Sequence, residues 1–188
     1  MLNSFKKLSK DITKIFNPNL IMEIGSNDGS FIKNFDKKKA ICVEPCTDVA
    51  KITKRMGYKT FSSFWNMKLA KKIKPKVKNI DLIYSANTLS HIQNLESVFN
   101  SIDHVLSSDG VLIIEDPSLL ECLKKVSYDQ FYNEHIYIFS LLSIKYLLKR
   151  YNLEVFNIEK ISTHGGSLRY FIKRIFNNKF KINKKVKM

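Results

Sequence analysis

The chain has 188 residues, of which 44% are apolar and 12% aromatic, and its 32 basic against 17 acidic side chains give a net charge of +15. At roughly 100–200 residues per domain this is one domain with apolar side chains enough for a core; three cysteines, Cys42, Cys46 and Cys122, exclude a disulfide framework and point to a reducing cytoplasm. No uncharged apolar run approaches the ~20 residues of a membrane span, the N-terminus MLNSFKKLSKDI lacks the apolar core of a secretory signal, and only Arg55, Arg150, Arg169 and Arg174 among the basic residues are arginine, which argues for solvated lysine faces and against a nucleic-acid partner.

Leu2, Phe5, Leu8, Ile12 and Ile15 recur at steps of three or four and predict a helix over 2–16, ended by Asn17, Pro18 and Asn19. LIMEIG (20–25) reads as a buried strand, and SNDGSFIKNF as a turn followed by a helix. AICVE (40–44) is a second strand stopped by Pro45. A helix through Val49, Ala50 and Met56 ends at Gly57, and YKTF (58–61) is a short third strand. Residues 66–79 are lysine-rich and half helical, and IDLIYSAN (80–87) is the fourth strand. Leu95, Val98, Phe99, Ile102, Val105 and Leu106 mark an amphipathic helix capped by Asn94. Asp109-Gly110 turns the chain into VLIIED (111–116), closed by Pro117. Ser140 opens a helix with Leu141, Ile144, Leu147, Leu148 and Tyr151 inward. LEVFNIEKI (153–161) and SLRYFIKRIF (167–176) are two strands joined at Gly165-Gly166. The lysine-rich tail 177–188 is expected to be frayed and flexible, leaving residues 1–176 as the domain. Five alternations of strand and helix followed by two adjacent strands predict an α/β fold: a mostly parallel seven-stranded sheet with a final antiparallel strand and helices on both faces.

In such a sheet ligands bind beyond the carboxyl ends of the strands, near the switch in strand order. Three segments are expected to converge there. In Glu23-Ile24-Gly25-Ser26-Asn27-Asp28-Gly29 the glycines are four apart, which is not the GxGxxG spacing of a pyrophosphate cradle. Gly25 permits close backbone approach, and Asp28 repels phosphate but suits a cationic amine; the alternative is an ordinary tight turn. Glu44, nineteen positions after Gly25, can accept both hydroxyls of a ribose, or is simply a solvated acid at a strand end. The third segment, Ser85 to His91, brings Asn87 and His91 beneath a reactive group, with capping or packing the alternative for His91. A loop for a sulfonium amino acid beside an acid for ribose points to S-adenosylmethionine. Phe64 and Trp65 either flank an adenine or pack in the core, and the cysteines carry no metal-ligand spacing.

EIGSNDGSF, CVEP, ANTLSHIQNL, IEDPSL, YDQFYNEHIYIFSL and HGGSLRYF occur in this order over residues 15–175. In this the chain resembles the S-adenosylmethionine-dependent sugar C-methyltransferases, which methylate a ring carbon of a nucleotide-linked keto-deoxysugar. The resemblance implies a Rossmann-like class I methyltransferase fold, with Glu23, Gly25, Asn27, Asp28, Gly29, Glu44 and Asn87 around the cofactor. Methylation of a carbon beside a ketone needs a base for the alpha proton and support for the enolate, and a base with a pKa near the operating pH is best supplied by histidine. Tyr132-Asn133-Glu134-His135 offers an imidazole, a carboxylate and a phenol on what is expected to be an irregular loop. By the resemblance His135 is the base, Glu134 orients or tunes it or contacts substrate, and Tyr132 binds the keto or enolate oxygen; the alternative is a polar cluster that fixes the loop. His91 and, at the turn before the last strand, His164, Gly165, Ser167 and Arg169 are then expected at the sugar or its phosphates; the alternative for 164–167 is a hairpin turn with an incidental histidine.

The family also carries a cysteine-rich zinc module, a tyrosine-bearing segment before the first strand and a second substrate domain, none of which this sequence shows. The resemblance is therefore to the central cofactor domain alone. It is expected to be a split-gene product, a fragment, or a minimal homologue working with a partner subunit, or else a non-catalytic cofactor domain; a nucleic-acid methyltransferase is the more distant reading.

Overall fold

The computed structural model describes residues 2–77 and 79–187, and their side chains except those of residues 2, 3 and 164. Seven strands, β1 (Ile21–Ile24), β2 (Ala40–Val43), β3 (Lys59–Phe61), β4 (Ile80–Ala86), β5 (Leu106–Pro117), β6 (Leu153–Ile161) and β7 (Ser167–Arg174), form one sheet of order β3-β2-β1-β4-β5-β7-β6. β1 to β5 pair in parallel; β7 runs antiparallel between β5 and β6. The helices are α1 (Leu2–Phe16), α2 (Thr47–Arg55), α3 (Met67–Ile73), α4 (Leu95–Val105), α5 (Leu119–Lys125) and α6 (Leu141–Leu148). No helix among the described residues is long and apolar enough to cross a membrane.

The central strands are apolar on both faces, as a sheet covered on both sides requires. Met22, Ile24, Ile41, Ile83 and Ile114 pack with Leu69, Phe99, Ile102, Ile144 and Leu148 of α3, α4 and α6. Ile21, Cys42, Leu82, Tyr84 and Ile113 pack on the other side with Leu8 and Ile12 of α1. Asn94 caps α4 by accepting from the Ser97 N–H, and Ser140 and Ser143 form a reciprocal capping box on α6.

Four details depart from the sequence reading. The helix expected after β1 is only a 3-10 turn at Ile32–Asn34, because Phe31 lies against Tyr84 (ring centroids 3.9 Å apart) and Phe35 folds back on Phe31. In α1 the inward residue of the last turn is Phe16, which meets Phe156, Phe171 and Phe180, while Ile15 points to solvent. α5 was not expected: Cys122 is its buried side chain while Leu120 and Leu123 are exposed, so it has no amphipathic stripe to read. β5 begins at Leu106, and its register with β4 shifts where Asp109-Gly110 intervenes.

The tail is a correction: segment 177–187 is packed rather than frayed. Phe180 stacks on Phe156, the Asn183 N–H donates to the Phe156 carbonyl, Lys145 reaches the Val186 carbonyl, and Val186 is buried in the core. Phe180→Ala is therefore expected to lower the unfolding free energy by about 2 kcal/mol, below the range for a fully buried phenylalanine because Phe180 is partly exposed; urea denaturation measures it, and an unchanged midpoint would contradict the packing.

Asp116, near the end of β5, is buried, with Ser90 N–H facing its Oδ1 at 3.4 Å and no partner on Oδ2. Burial pushes its pKa up to about 7, against the opposing Ser90 contacts. The unfolded aspartate titrates near ~3.9, so the folded form holds the extra proton. Its cost to stability is absent below that value, grows as pH rises toward about 7 and then levels off. Asp116→Asn is expected to flatten the melting temperature over this interval, which calorimetry at several pH values would show.

Candidate active site

The strand order reverses between β1 and β4, and a cavity of about 860 Å3 opens beyond their carboxyl ends. It is bounded by the start of α1 at Ser4 and Phe5, the bend after β1, the ends of β2, β4 and β5, and the turn before β7. Its size suits a nucleoside-sized molecule and a second small one.

The bend after β1 is made by backbone geometry. Gly25 has φ +73°, and a Cβ there would lie 2.2 Å from Thr88 Oγ1. Gly25 and Ser26 N–H both donate to the Val43 carbonyl, which ties the bend to β2. Asn27 is also left-handed, at φ +47°, and its N–H donates to Glu44 Oε2 at 2.9 Å. Cys46 N–H donates to Glu44 Oε1, so the Glu44 carboxylate is locked at the cavity wall with lone pairs to spare. Gly29 is not a wall residue; its φ of +79° lets it pack on Thr53. Asp28 is exposed at the wall and accepts the Ser30 N–H.

Four buried oxygens at this wall have no partner among the described residues: Glu23 Oε2, Ser26 Oγ, Asn87 Oδ1 and Thr163 Oγ1. Burial, with Asp28 and Glu44 nearby, pushes the Glu23 carboxyl well above the usual range. Asn87 sits at φ +48°, held by its N–H to the Glu115 carbonyl at 2.7 Å. Buried oxygens left unpaired are costly and call for a donor; an ammonium and ribose hydroxyls, the donors of S-adenosylmethionine, fit this wall. Phe64 is exposed at the cavity mouth. Trp65 joins both readings, buried in the core with Nε1 donating to the Val98 carbonyl, yet also on the wall.

The histidine cluster stands at the same end of the sheet. A 3-10 turn at Leu89–His91 after β4 places His91 on the cavity wall, where its Nδ1–H donates to the Glu134 carbonyl at 2.8 Å. The His135 ring lies 4.8 Å from it, centroid to centroid; His91 is a wall residue, whereas Tyr132, Glu134 and His135 are not. The carbonyl of Gln130, 2.9 Å from His135 Nδ1, can only accept. That fixes the proton on Nδ1 and makes Nε2 the lone pair that accepts the Tyr132 hydroxyl at 3.0 Å. The irregular stretch from Phe131 to Phe139 carries these residues, as expected. Glu134 does not orient His135: its carboxylate is exposed and makes no hydrogen bond among the described residues.

Of the remaining expected contacts, Ser167 is on the wall, with its hydroxyl donated to the Thr163 carbonyl. Gly165 instead faces α5, its carbonyl taking the Lys125 ammonium. The side chain of His164 lies outside the described residues. Arg169 is a correction: it is buried, with Nε and Nη2 on Glu115 and Nη1 on Glu159, so its charge is held between two carboxylates within the sheet rather than presented to a sugar phosphate. The register explains this, since Glu115, Arg169 and Glu159 are direct neighbours across β5, β7 and β6. Sequence reading missed Thr88, Thr163, Glu115 and the start of α1. Only Glu115 had a signal, an acid at the end of an apolar strand in IIED.

A family model described as a methyltransferase domain matches residues 3–158. The C-methyltransferase NovU of Streptomyces niveus is 28% identical over 154 residues, 81% of this chain; the chain spans 37% of that relative's length. An S-adenosylmethionine-dependent methyltransferase from Clostridium acetobutylicum superposes with a TM-score of 0.69 at 14% identity, covering 93% of this chain and 92% of that one. A SAM-dependent methyltransferase from Archaeoglobus fulgidus gives 0.67 at 12% identity, covering 91% and 94%. These structures share the fold, the Rossmann-like class I methyltransferase sheet. With most of its length matched by that model, the chain belongs to the methyltransferase-domain family.

Proposed function

We propose that this methyltransferase transfers a methyl group to a ring carbon of a nucleotide-linked keto-deoxysugar. The methyl donor is S-adenosylmethionine, which supplies an electrophilic methyl group. Glu23, Gly25, Asn27, Asp28 and Asn87 would hold its amino-acid end and Glu44 its ribose. The observation that carries the carbon-acid chemistry is the His135 imidazole next to His91 of the cavity wall: Gln130 fixes its tautomer, and its one lone pair is aimed at the Tyr132 phenol. Similarity to a C-methyltransferase over 81% of the chain supports the same reading.

In this mechanism the acceptor ketone draws the Tyr132 hydroxyl from His135 to the keto oxygen. His135 Nε2, so freed, takes the alpha proton and becomes an imidazolium. The electron pair of the C–H bond moves into the enolate, whose oxygen Tyr132 steadies; the enolate carbon would then bond to the methyl carbon as the S–CH3 bond breaks, its electron pair left on the sulfur of S-adenosylhomocysteine. His91, on the cavity wall, lies beside the base, its ring 4.8 Å from that of His135. A partner subunit would hold the nucleotide half of the acceptor, and we place the reaction in the cytoplasm.

Incubation with labelled S-adenosylmethionine and a dTDP-4-keto-deoxyhexose should yield a sugar heavier by one methylene. Transfer only to a hydroxyl or amine acceptor would overturn the proposal. His135→Ala is expected to lower kcat by ~100-fold or more while leaving S-adenosylhomocysteine affinity in place; normal turnover would remove His135 from the base role. Glu23→Gln should weaken S-adenosylhomocysteine about tenfold, near 1.4 kcal/mol. Because burial holds the Glu23 carboxyl above the usual carboxylate range and it must ionise to pair with an ammonium, native affinity should rise with pH above that range and be flat in the Gln variant, by calorimetry.

A further inference from the structure

One carboxylate of the cavity wall has no part in this scheme. Glu115, at the end of β5, is buried, and one oxygen carries all its hydrogen bonds. Oε2 accepts the Tyr84 hydroxyl at 3.1 Å, Arg169 Nε at 3.0 Å and Arg169 Nη2 at 2.9 Å. Burial works against the Arg169 charge, but Glu115 and Glu159 outweigh it and raise its pKa. Arg169 is thus a permanent clamp that sets the carboxylate's orientation. With three donors on Oε2, Oε1 accepts nothing among the described residues. The same wall holds Thr163 Oγ1, buried without a partner among the described residues, and Ser167, whose hydroxyl is already committed to Thr163. An unpaired carboxylate oxygen and a single free hydroxyl call for a ligand that brings O–H or N–H donors.

Two sources of such donors exist: hydroxyls of the methyl acceptor, and the cofactor's ammonium. Glu23 already offers an unpaired carboxylate oxygen beside the glycine bend, and Glu115 stands two strands away across β4, about 10 Å at ordinary strand spacing. We infer that Glu115 is an acceptor-binding residue whose Oε1 takes a ring hydroxyl of the sugar, with Arg169 as its positioning residue and Thr163 as a second contact. This rests on the proposed function and narrows it: the acceptor presents a hydroxyl to the β5 end of the cavity.

The test is Glu115→Gln, with Thr163→Val as a second variant because removing an unpartnered hydroxyl breaks no hydrogen bond of the fold. Steady-state transfer to a dTDP-4-keto-deoxyhexose is measured beside S-adenosylhomocysteine affinity by calorimetry. The expected result is an acceptor KM raised about tenfold in Glu115→Gln and about threefold in Thr163→Val, with S-adenosylhomocysteine affinity within twofold of native. Weaker S-adenosylhomocysteine binding with an unchanged acceptor KM would mean the carboxylate reads the ammonium and would overturn the inference. So would unchanged KM in both variants while the native chain turns over. Absence of turnover by the native chain would overturn the proposed function and this inference together. If Glu115→Gln does not fold, Thr163→Val alone decides.

Discussion

The cavity exists because β1 and β4 can close on each other at their carboxyl ends, and they can do so only with no side chain at position 25. A Cβ there would overlap the Thr88 hydroxyl at 2.2 Å, and the positive φ of Gly25 would strain any L residue. From that contact the chain after Gly25 is led across to β2, where Val43 receives two of its N–H groups and Glu44 receives a third. The Glu44 carboxylate is thereby aimed into the cavity by backbone donors, at no cost in side-chain freedom at the moment a ligand arrives. A single close approach thus positions both the bend and the acid.

Polar groups in the cavity are divided unevenly. Some are spent within the protein: Arg169 on Glu115 and Glu159, Ser167 on Thr163, and both oxygens of Glu44 on backbone N–H groups. Others are buried without partners: Glu23 Oε2, Asn87 Oδ1 and Thr163 Oγ1. A folded chain tolerates such orphans where a ligand completes them. Asn27 and Asn87 repeat the point in the backbone, both holding left-handed conformations at strand ends that face the cavity.

The histidine pair shows how a tautomer can be set from outside the reacting atoms. Both imidazoles give their Nδ1 proton to a main-chain carbonyl, Glu134 for His91 and Gln130 for His135. Each Nε2 is therefore the free lone pair, and in His135 a phenol holds it in reserve. The carboxylate adjacent in sequence, Glu134, contributes its main chain rather than its side chain, because neighbouring residues of an irregular stretch point different ways.

The sequence by itself determined the alternation of strands and helices, all seven strands, the antiparallel last strand and the glycine bend with its two flanking acids. Each of these is written in local chemistry: apolar runs closed by Gly, Pro or Asn, and helix caps at Asn94 and Ser140. Only the tertiary structure decided the rest. The segment after Gly29 was drawn out of a helix by ring packing between Phe31 and Tyr84, residues far apart in the chain. The lysine-rich tail was docked by Phe180 and Val186, two apolar side chains too widely spaced to show a pattern. Arg169 was diverted from ligand to clamp because sheet register put Glu115 and Glu159 on either side of it. Register and ring packing join residues distant in sequence, and no local spacing encodes which partner a side chain meets.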